Sequence, residues 1–566
     1  MAIVCGGGFS RPLTQWATTK SRRIRRSRST LKYIFGEYVK NSFFLVIPTQ
    51  QKNPQRLKEF EAKALQHWIT ELPTANPGLA TRLLHDLLID FNAIEMKAQL
   101  RLDALELLSP SVHDIEDYLR SRLIKAGFPK EDNDKKILSV LISIEKEFTI
   151  GYWMVLKELT KRDVGWFQGK NTALTIQRCI KGLGNIIVSH FIMGMPIPDW
   201  VWIDLHSLYN LSLKIKNSTT KVSNETSQSN KASSPEECYR QILLLSLADP
   251  TGLMQKEILL AYGFIETIGS LVELKKEPVK DQQIQCIVLT DEDKAPHYQY
   301  EAGAKNDSAM LYLDFNKLFK AFKQKGKLIN AAEARFSSMH VLNNNIEKPS
   351  AELLDYLEQR WMGIDLQGIP FFSDRSDRYI AVGLESTHEL QNALEPVGEK
   401  GLEILVQSAS DRLLSGVFTK TGVLSVGSLV SFRKADSPEH KRSLGIVNKV
   451  VVDRQSGRIN FGMQLLAHQS IAVTYVQLDE AGKDVPQKGL FYNAKELEDE
   501  KSYIITDTFM LKDSDIIRIF LSNEDFPVVL SNRKNVGLGY WQFECRRVAE
   551  KGKAAAVQAK KGYDFI

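Results

Sequence analysis

Between residues 77 and 94 apolar side chains recur three and four positions apart: Leu83, Leu84, Leu87, Leu88, Phe91 and Ile94. That spacing gathers them on one wide stripe of an α-helix. Asn76 followed by Pro77 supplies the start, a side-chain cap and then a residue whose φ is already helical. Similar stripes follow along the chain. One covers Leu100 to Leu108 and is closed by Ser109-Pro110. Another runs from about Val112 to Ala126 and stops at Gly127, with Pro129 beyond. A long one, Lys135 to about Thr160, carries Ile137, Val140, Leu141, Ile144 and Phe148. Two more occupy about 170–194 and, after Pro196 and Pro198, about 199–215. Short connections between amphipathic helices predict a packed all-α domain over 54–216. No fixed-period repeat marks a solenoid.

Residues 217–234 break the pattern with a run of Ser, Asn, Thr and Lys. Such a run buries too little surface to order itself, so a mobile linker is expected there. Helix resumes at once. Ser234 caps, Pro235 takes the first position, and Ile242, Leu243, Leu244, Leu245 and Leu247 fill a core. Asp249-Pro250 breaks it, and a second helix at about 253–272 completes a pair, 235–275, expected to pack back on the helical domain. Residues 276–365 read as a mixed connection. Cys286–Leu289 and Met310–Asp314 are strand-like, and helices are expected near 315–324 and 349–361. From 366 to 548 strand signals dominate, with turns at Gly383, Gly416, Gly422, Gly427, Ser456-Gly457 and Gly482. That suits a β-barrel with extra strands at its end. The fold class expected is therefore α+β, an all-α N-terminal domain followed by an antiparallel β-barrel, with residues 1–53 and 549–566 as tails.

Charge changes this picture only at the N-terminus. The chain of 566 residues has net charge +6. Lys20, Arg22, Arg23, Arg25, Arg26, Arg28 and Lys32 cluster with no acid among them, which leaves the body almost neutral. A near-neutral body gives no general reason to expect nucleic-acid binding. The first 50 residues imitate a targeting sequence, but their apolar run, Phe43 to Ile47, is short and ends at Pro48. They read as a poorly structured tail or an over-extended translation start, with a nucleic-acid or membrane-surface arm as the alternatives. No window reaches the roughly 18 apolar residues of a membrane span. Cys5, Cys179, Cys238, Cys286 and Cys545 are far apart, which reads as free thiols in a reducing cytoplasm. No two of the ten histidines lie three to five residues apart. A zinc site of adjacent ligands is therefore unsupported, and no metal or cofactor is expected.

One stretch has the makings of a ligand site. Arg375 and Arg378 stand just before the run Tyr379-Ile380-Ala381-Val382-Gly383-Leu384. Asp411-Arg-Leu413-Leu-Ser-Gly416 follows, then Val426-Gly427-Ser-Leu429-Val430, then strand-like runs at 444–447 and 459–465. This order resembles the PilZ domain, the small β-barrel with which bacteria sense cyclic di-GMP. The resemblance implies that the arginine pair clamps the ligand's phosphates and guanines and that an Asp/Asn-x-Ser-x-x-Gly turn holds its other side. Guanidinium forks suit both tasks. Asp411 and Gly416 stand at that turn's spacing, but Leu413 occupies the serine position, a lost polar contact of about 1–2 kcal/mol. The arginines are three apart where the family has four. The plainer alternative leaves Arg375 and Arg378 on a solvated loop, paired with Asp374 and Asp377, and makes 411–416 a simple strand-entry turn.

The helical half carries a resemblance of its own. Leu72-Pro-Thr-Ala-Asn-Pro77, Arg101-Leu102-x-x-Leu105-Glu106-x-Leu108, Trp202-Ile-Asp-Leu-His206-Ser-Leu208-Tyr209 and the run Tyr239 to Pro250 are similar to landmarks of a group of cytoplasmic proteobacterial proteins. These join a helical N-terminal half to a PilZ-like C-terminal half, and the likeness covers about 55–548. It implies a non-enzymatic receptor or adaptor whose barrel binds cyclic di-GMP, or binds a protein after that ability is weakened or lost, and whose helical half docks a protein partner. The rival is an enzyme with dispersed residues in the helical half, which predicts a deep pocket of perturbed titratable groups. A third reading is nucleic-acid binding through the basic tail, with steep salt dependence. His206 and Tyr209, with Trp200 and Trp202, read first as core with satisfied polar tips. His85-Asp86 lacks the further ligands of a metal phosphodiesterase. Gly6-Gly7-Gly8 has no following Lys-Ser/Thr and is not a phosphate loop.

Overall fold

The computed structural model describes residues 45–161, 169–223, 232–280, 282–300, 309–328, 349–364, 370–392, 401–478, 485–496, 499–521 and 524–548. The basic run of the N-terminal tail, the centre of the Ser/Asn-rich segment (224–231) and the C-terminal tail lie outside them.

After one short helical turn at Pro54–Leu57 come eight longer helices: α1 (Ala62–Glu71), α2 (Pro77–Ala93), α3 (Ala98–Leu123), α4 (Asp132–Leu159), α5 (Gly169–Ile192), α6 (Val201–Lys214), α7 (Pro235–Leu247) and α8 (Gln255–Ile268). The start of α2 is as the sequence predicts. The Asn76 side chain accepts from the Leu79 N–H at 3.2 Å, and Leu84, Leu88 and Phe91 are buried, whereas Leu83 faces solvent. At α7 the Ser234 hydroxyl takes the Glu237 N–H at 3.3 Å, and the Glu237 carboxylate takes the Ser234 N–H at 2.9 Å. This reciprocal cap satisfies two donors that the first turn leaves open.

At Ser109-Pro110 the sequence predicts a break, and the structure has none. Helix α3 runs 26 residues straight through Pro110. An interior proline costs about 3 kcal/mol, since it lacks the N–H and crowds the carbonyl four residues back. Here Leu102, Leu105, Leu108, Val112, Ile115, Leu119 and Leu123 form one buried stripe on both sides of it. Their burial, at about 1.5–3 kcal/mol each, outweighs the break.

The segment expected to be a linker has ordered ends. Val222 and Ser233 exchange backbone hydrogen bonds, each 3.1 Å, and both residues are buried. Helices α7 and α8, beyond it, pack against α5. A four-stranded sheet follows, β1 (Glu273–Lys275), β2 (Ile284–Leu289), β3 (His297–Tyr300) and β4 (Met310–Asp314), ordered β1-β4-β2-β3. Helices α9 (Asn316–Phe322) and α10 (Ala351–Trp361) stand where the periodicity places them.

The C-terminal region is antiparallel and closes twice. The first barrel comprises β5 (Arg378–Val382), β6 (Ile404–Ser408), β7 (Leu414–Gly416), β8 (Leu429–Lys434), β9 (Ser443–Val452) and β10 (Ile459–Ala467), in the order β10-β7-β6-β5-β8-β9. Helix α11 (Leu384–Asn392) follows β5. The strands expected as additions at the barrel's end form a second closed barrel. These are β11 (Ile471–Gln477), β12 (Gln487–Glu496), β13 (Asp499–Thr506), β14 (Ile516–Leu521), β15 (Glu524–Gly537) and β16 (Tyr540–Arg547). Closure removes the free edges on which strands of other chains would add.

The helical half reaches into the first barrel. Phe128, in the α3–α4 loop, packs in the barrel core with Phe418, Leu424 and Phe461. Its N–H donates to the Leu424 carbonyl at 2.6 Å, and the Leu424 N–H returns the bond at 2.9 Å. Gly127 permits this approach, since a Cβ there would sit 2.6 Å from the Leu424 carbonyl oxygen.

Candidate functional site

Two loops meet at one end of the first barrel. The loop before β5 carries Phe372, whose buried ring joins the barrel core. The Phe372 N–H donates to the Asp411 carbonyl at 2.7 Å, which places the arginine loop beside the Asp411 turn. The ladders β5–β6 and β6–β7 keep both loops in register, with Arg378 opposite Val406 and Ser408 opposite Leu414.

The two arginines fare differently. Arg375 sits at φ +51°, its N–H closing a turn onto the Phe372 carbonyl at 3.0 Å. Its side chain is exposed, and among the described residues its guanidinium has no hydrogen-bond or ion-pair partner. Arg378 opens β5 and is 3 % exposed. Its Nη1 donates to the Ser376 carbonyl at 2.7 Å and to the Ser408 hydroxyl at 3.2 Å, and its Nη2 to Asp374 at 2.6 Å. The guanidinium lies over the Phe372 ring, 4.9 Å from its centre. Asp374 also pairs with Lys434 at 3.0 Å and accepts the Ser376 N–H at 3.2 Å. Burial acts to raise its pKa, but the donors from Arg378, Lys434 and Ser376 prevail and hold the carboxyl well below the usual carboxylate range.

Asp411 is exposed, and among the described residues its carboxylate has no partner. The turn it begins is tied by the Ser410 hydroxyl, which accepts the N–H groups of Arg412 at 3.2 Å and Leu413 at 3.0 Å. Leu413 is half-buried. Its carbonyl accepts from Ala409 at 2.8 Å and Ser410 at 3.1 Å. Gly416 lies deeper, in the barrel wall opposite Ile459. A Cβ there would come 2.8 Å from Val406 Cγ1 and 3.3 Å from the Phe418 ring, so glycine serves packing at this position. The structure thus unites Arg375, Arg378 and Asp411 and leaves Gly416 enclosed behind them. The Arg378–Asp374 pair is the one the plainer alternative expects, though Arg378 is buried at a strand end rather than on a solvated loop. Sequence reasoning missed Lys434, Ser408 and Ser410.

In the helical half, His206 is buried with both ring nitrogens engaged, Nε2 with the Lys294 carbonyl at 2.9 Å and Nδ1 with the Tyr239 hydroxyl at 2.7 Å. Burial lowers its pKa to about 4, so it is neutral. Tyr209 stacks on Tyr239 with ring centres 4.3 Å apart. His85 binds the Ser143 hydroxyl at 2.8 Å. A cavity of about 30 Å³ lies among Glu116, Glu145, Tyr152, Asn185 and Lys181. That is room for a water or two rather than a metabolite. Among the described residues no group of three or more His, Cys, Asp or Glu is arranged to hold a metal ion, and no helix is long and apolar enough to cross a membrane.

Residues 63–279 match the family described as the N-terminal domain of the cyclic-di-GMP receptor FimW. A receptor architecture is therefore what the helical half is similar to. The cyclic-di-GMP receptor FimW of Pseudomonas aeruginosa is itself 22 % identical to this chain over 355 residues, which cover 63 % of this chain and 57 % of that protein. The chain is similar to that receptor, in line with the resemblance read from its helical landmarks. No solved structure matches.

Proposed function

We propose that this chain is a non-enzymatic cyclic di-GMP receptor or signalling adaptor. Its first barrel is the PilZ-like ligand domain, and its helical half is the surface that docks a protein partner. One observation carries the reading. The Phe372–Asp411 hydrogen bond puts the Arg375 guanidinium and the Asp411 carboxylate, both unpaired among the described residues, on adjoining loops of one barrel end. The guanidinium suits a phosphate or the O6 and N7 edge of guanine. The carboxylate suits the N1–H and N2–H₂ donors of guanine. The kinship with a protein named as a cyclic di-GMP receptor supports the same ligand. The helical half is the natural output because Phe128 is built into the core of the ligand barrel.

Calorimetric titration of the whole chain with cyclic di-GMP tests this, with cyclic di-AMP as the control. Adenine lacks the N1–H donor that Asp411 would accept. Saturable binding of the guanine ligand alone is expected. Equal affinity for both ligands, or none for either, rules the receptor reading out.

A further inference from the structure

We propose that Arg378 is a positioning residue rather than a ligand contact. Braced on Asp374, it holds the 371–377 loop so that Arg375 presents a guanidinium that is free among the described residues. The inference rests on the cyclic di-GMP reading above. Side chains along a strand alternate between faces. In β5, Arg378 shares the inward face with Ile380, and both are buried, while Tyr379 between them is half-buried under the Arg433 guanidinium. Arg378 therefore points into the barrel end. It already donates to Ser376, Ser408 and Asp374 and covers the Phe372 ring. To reach a ligand it would abandon all four contacts and leave Asp374 with Lys434 as its only ion-pair partner.

The brace has a clear object. Asp374 and Arg378 flank Arg375, a non-glycine residue held at φ +51°. Such a conformation persists only where surrounding contacts fix it. The ion pair closes the loop across Arg375, and the Phe372 N–H anchors the same loop to the Asp411 turn. The strained residue is thus the one whose side chain stands free, next to the other free charge. A guanidinium in solvent would otherwise sample many orientations, and fixing its backbone reduces what binding must order.

The test uses the full chain and five proteins: wild type, Arg375→Ala, Arg378→Ala, Asp374→Asn and the double variant Arg378→Ala with Asp374→Asn. Cyclic di-GMP affinity is measured at several ionic strengths, alongside thermal unfolding without ligand. Arg375→Ala should lose about tenfold or more in affinity. It should also flatten the salt dependence, because a charge that met the ligand is gone, and leave Tm unchanged. Arg378→Ala and Asp374→Asn should each lower Tm and weaken binding by similar factors. The binding that remains should keep the wild-type salt dependence, and combining the two should add little to either. An Arg378→Ala variant with wild-type Tm, or with a salt dependence flattened like that of Arg375→Ala, overturns the positioning role. A wild type that binds nothing overturns the receptor reading instead. The ligand-free thermal comparison still separates the two arginines in that case.

Discussion

Three carboxylates converge on the guanidinium of Arg120: Glu145 at 2.6 Å, Glu116 at 3.5 Å and Asp117 at 3.5 Å. Glu116 and Glu145 are both buried, and one positive charge cannot neutralise two. One Glu145 oxygen also takes the Ser189 hydroxyl at 2.8 Å, while the other has no partner among the described residues. Burial pushes the Glu145 pKa up to about 7, against the pull of Arg120 and with a further push from Glu116. A carboxyl whose pKa is raised on folding stabilises the fold fully below its unfolded value, near 4.5, and that contribution is lost as pH rises through about 7. Denaturant midpoints should therefore fall between pH 5 and pH 8, by an amount on the order of 2–3 kcal/mol. Glu145→Gln should remove most of that slope, and an unchanged slope would show that Glu145 does not titrate in this range. At the candidate site, Leu413→Ser should raise cyclic di-GMP affinity about tenfold by adding a hydroxyl to the turn. Calorimetry reads this directly, and a weaker complex would mean that Leu413 does not face the ligand. Local signals at this scale were legible: the Asn76 and Ser234 caps act within three residues of themselves. The inward turn of Arg378 was not, because it depends on which face of β5 the barrel buries.

Helix α3 and the α3–α4 loop show where element-scale reading stops. Proline is a local signal, but the seven-residue apolar stripe across Pro110 is satisfied only by neighbouring helices, so the sequence alone suggests two helices where one forms. Pro110→Ala should restore a backbone N–H and relieve the clash with the carbonyl of Glu106. Stability should rise by up to about 3 kcal/mol, visible as a higher Tm. A lower Tm would mean that the helix is built around its proline. The second barrel was hidden for a related reason. Strand content from 471 to 547 is apparent, but closure depends on long-range pairs such as Tyr503 with Glu544 and Val476 with Arg518. Phe128 was likewise invisible as a barrel residue, 250 positions before β5. Truncating it opens a cavity in the barrel core, so Phe128→Ala should cost about 3–5 kcal/mol. Chemical denaturation should show that loss in the barrel as well as in the helices. A loss confined to the helical half would contradict its role in the barrel core.

At the scale of the molecule, the described residues form one compact unit. Asp249 helps hold it together. It sits at φ +47° between α7 and α8, pairs with Lys449 of β9 at 3.2 Å and Arg360 of α10 at 3.4 Å, and its carbonyl accepts the Tyr356 hydroxyl at 2.8 Å. Sequence reading took Asp249-Pro250 as a helix breaker, which it is, but the ion pairs explain why the residue is an acid. The backbone bonds from Val452 to Gly194 and between Phe128 and Leu424 add to the same joint. Ligand binding at the barrel's Arg375–Asp411 end should therefore be felt in the helical half. Hydrogen exchange of the whole chain with and without saturating cyclic di-GMP tests this most directly. The account predicts slowed exchange at 371–378 and 408–413, extending through 417–428 to 124–131. Protection confined to other parts of the chain, or none under saturating ligand, would contradict it.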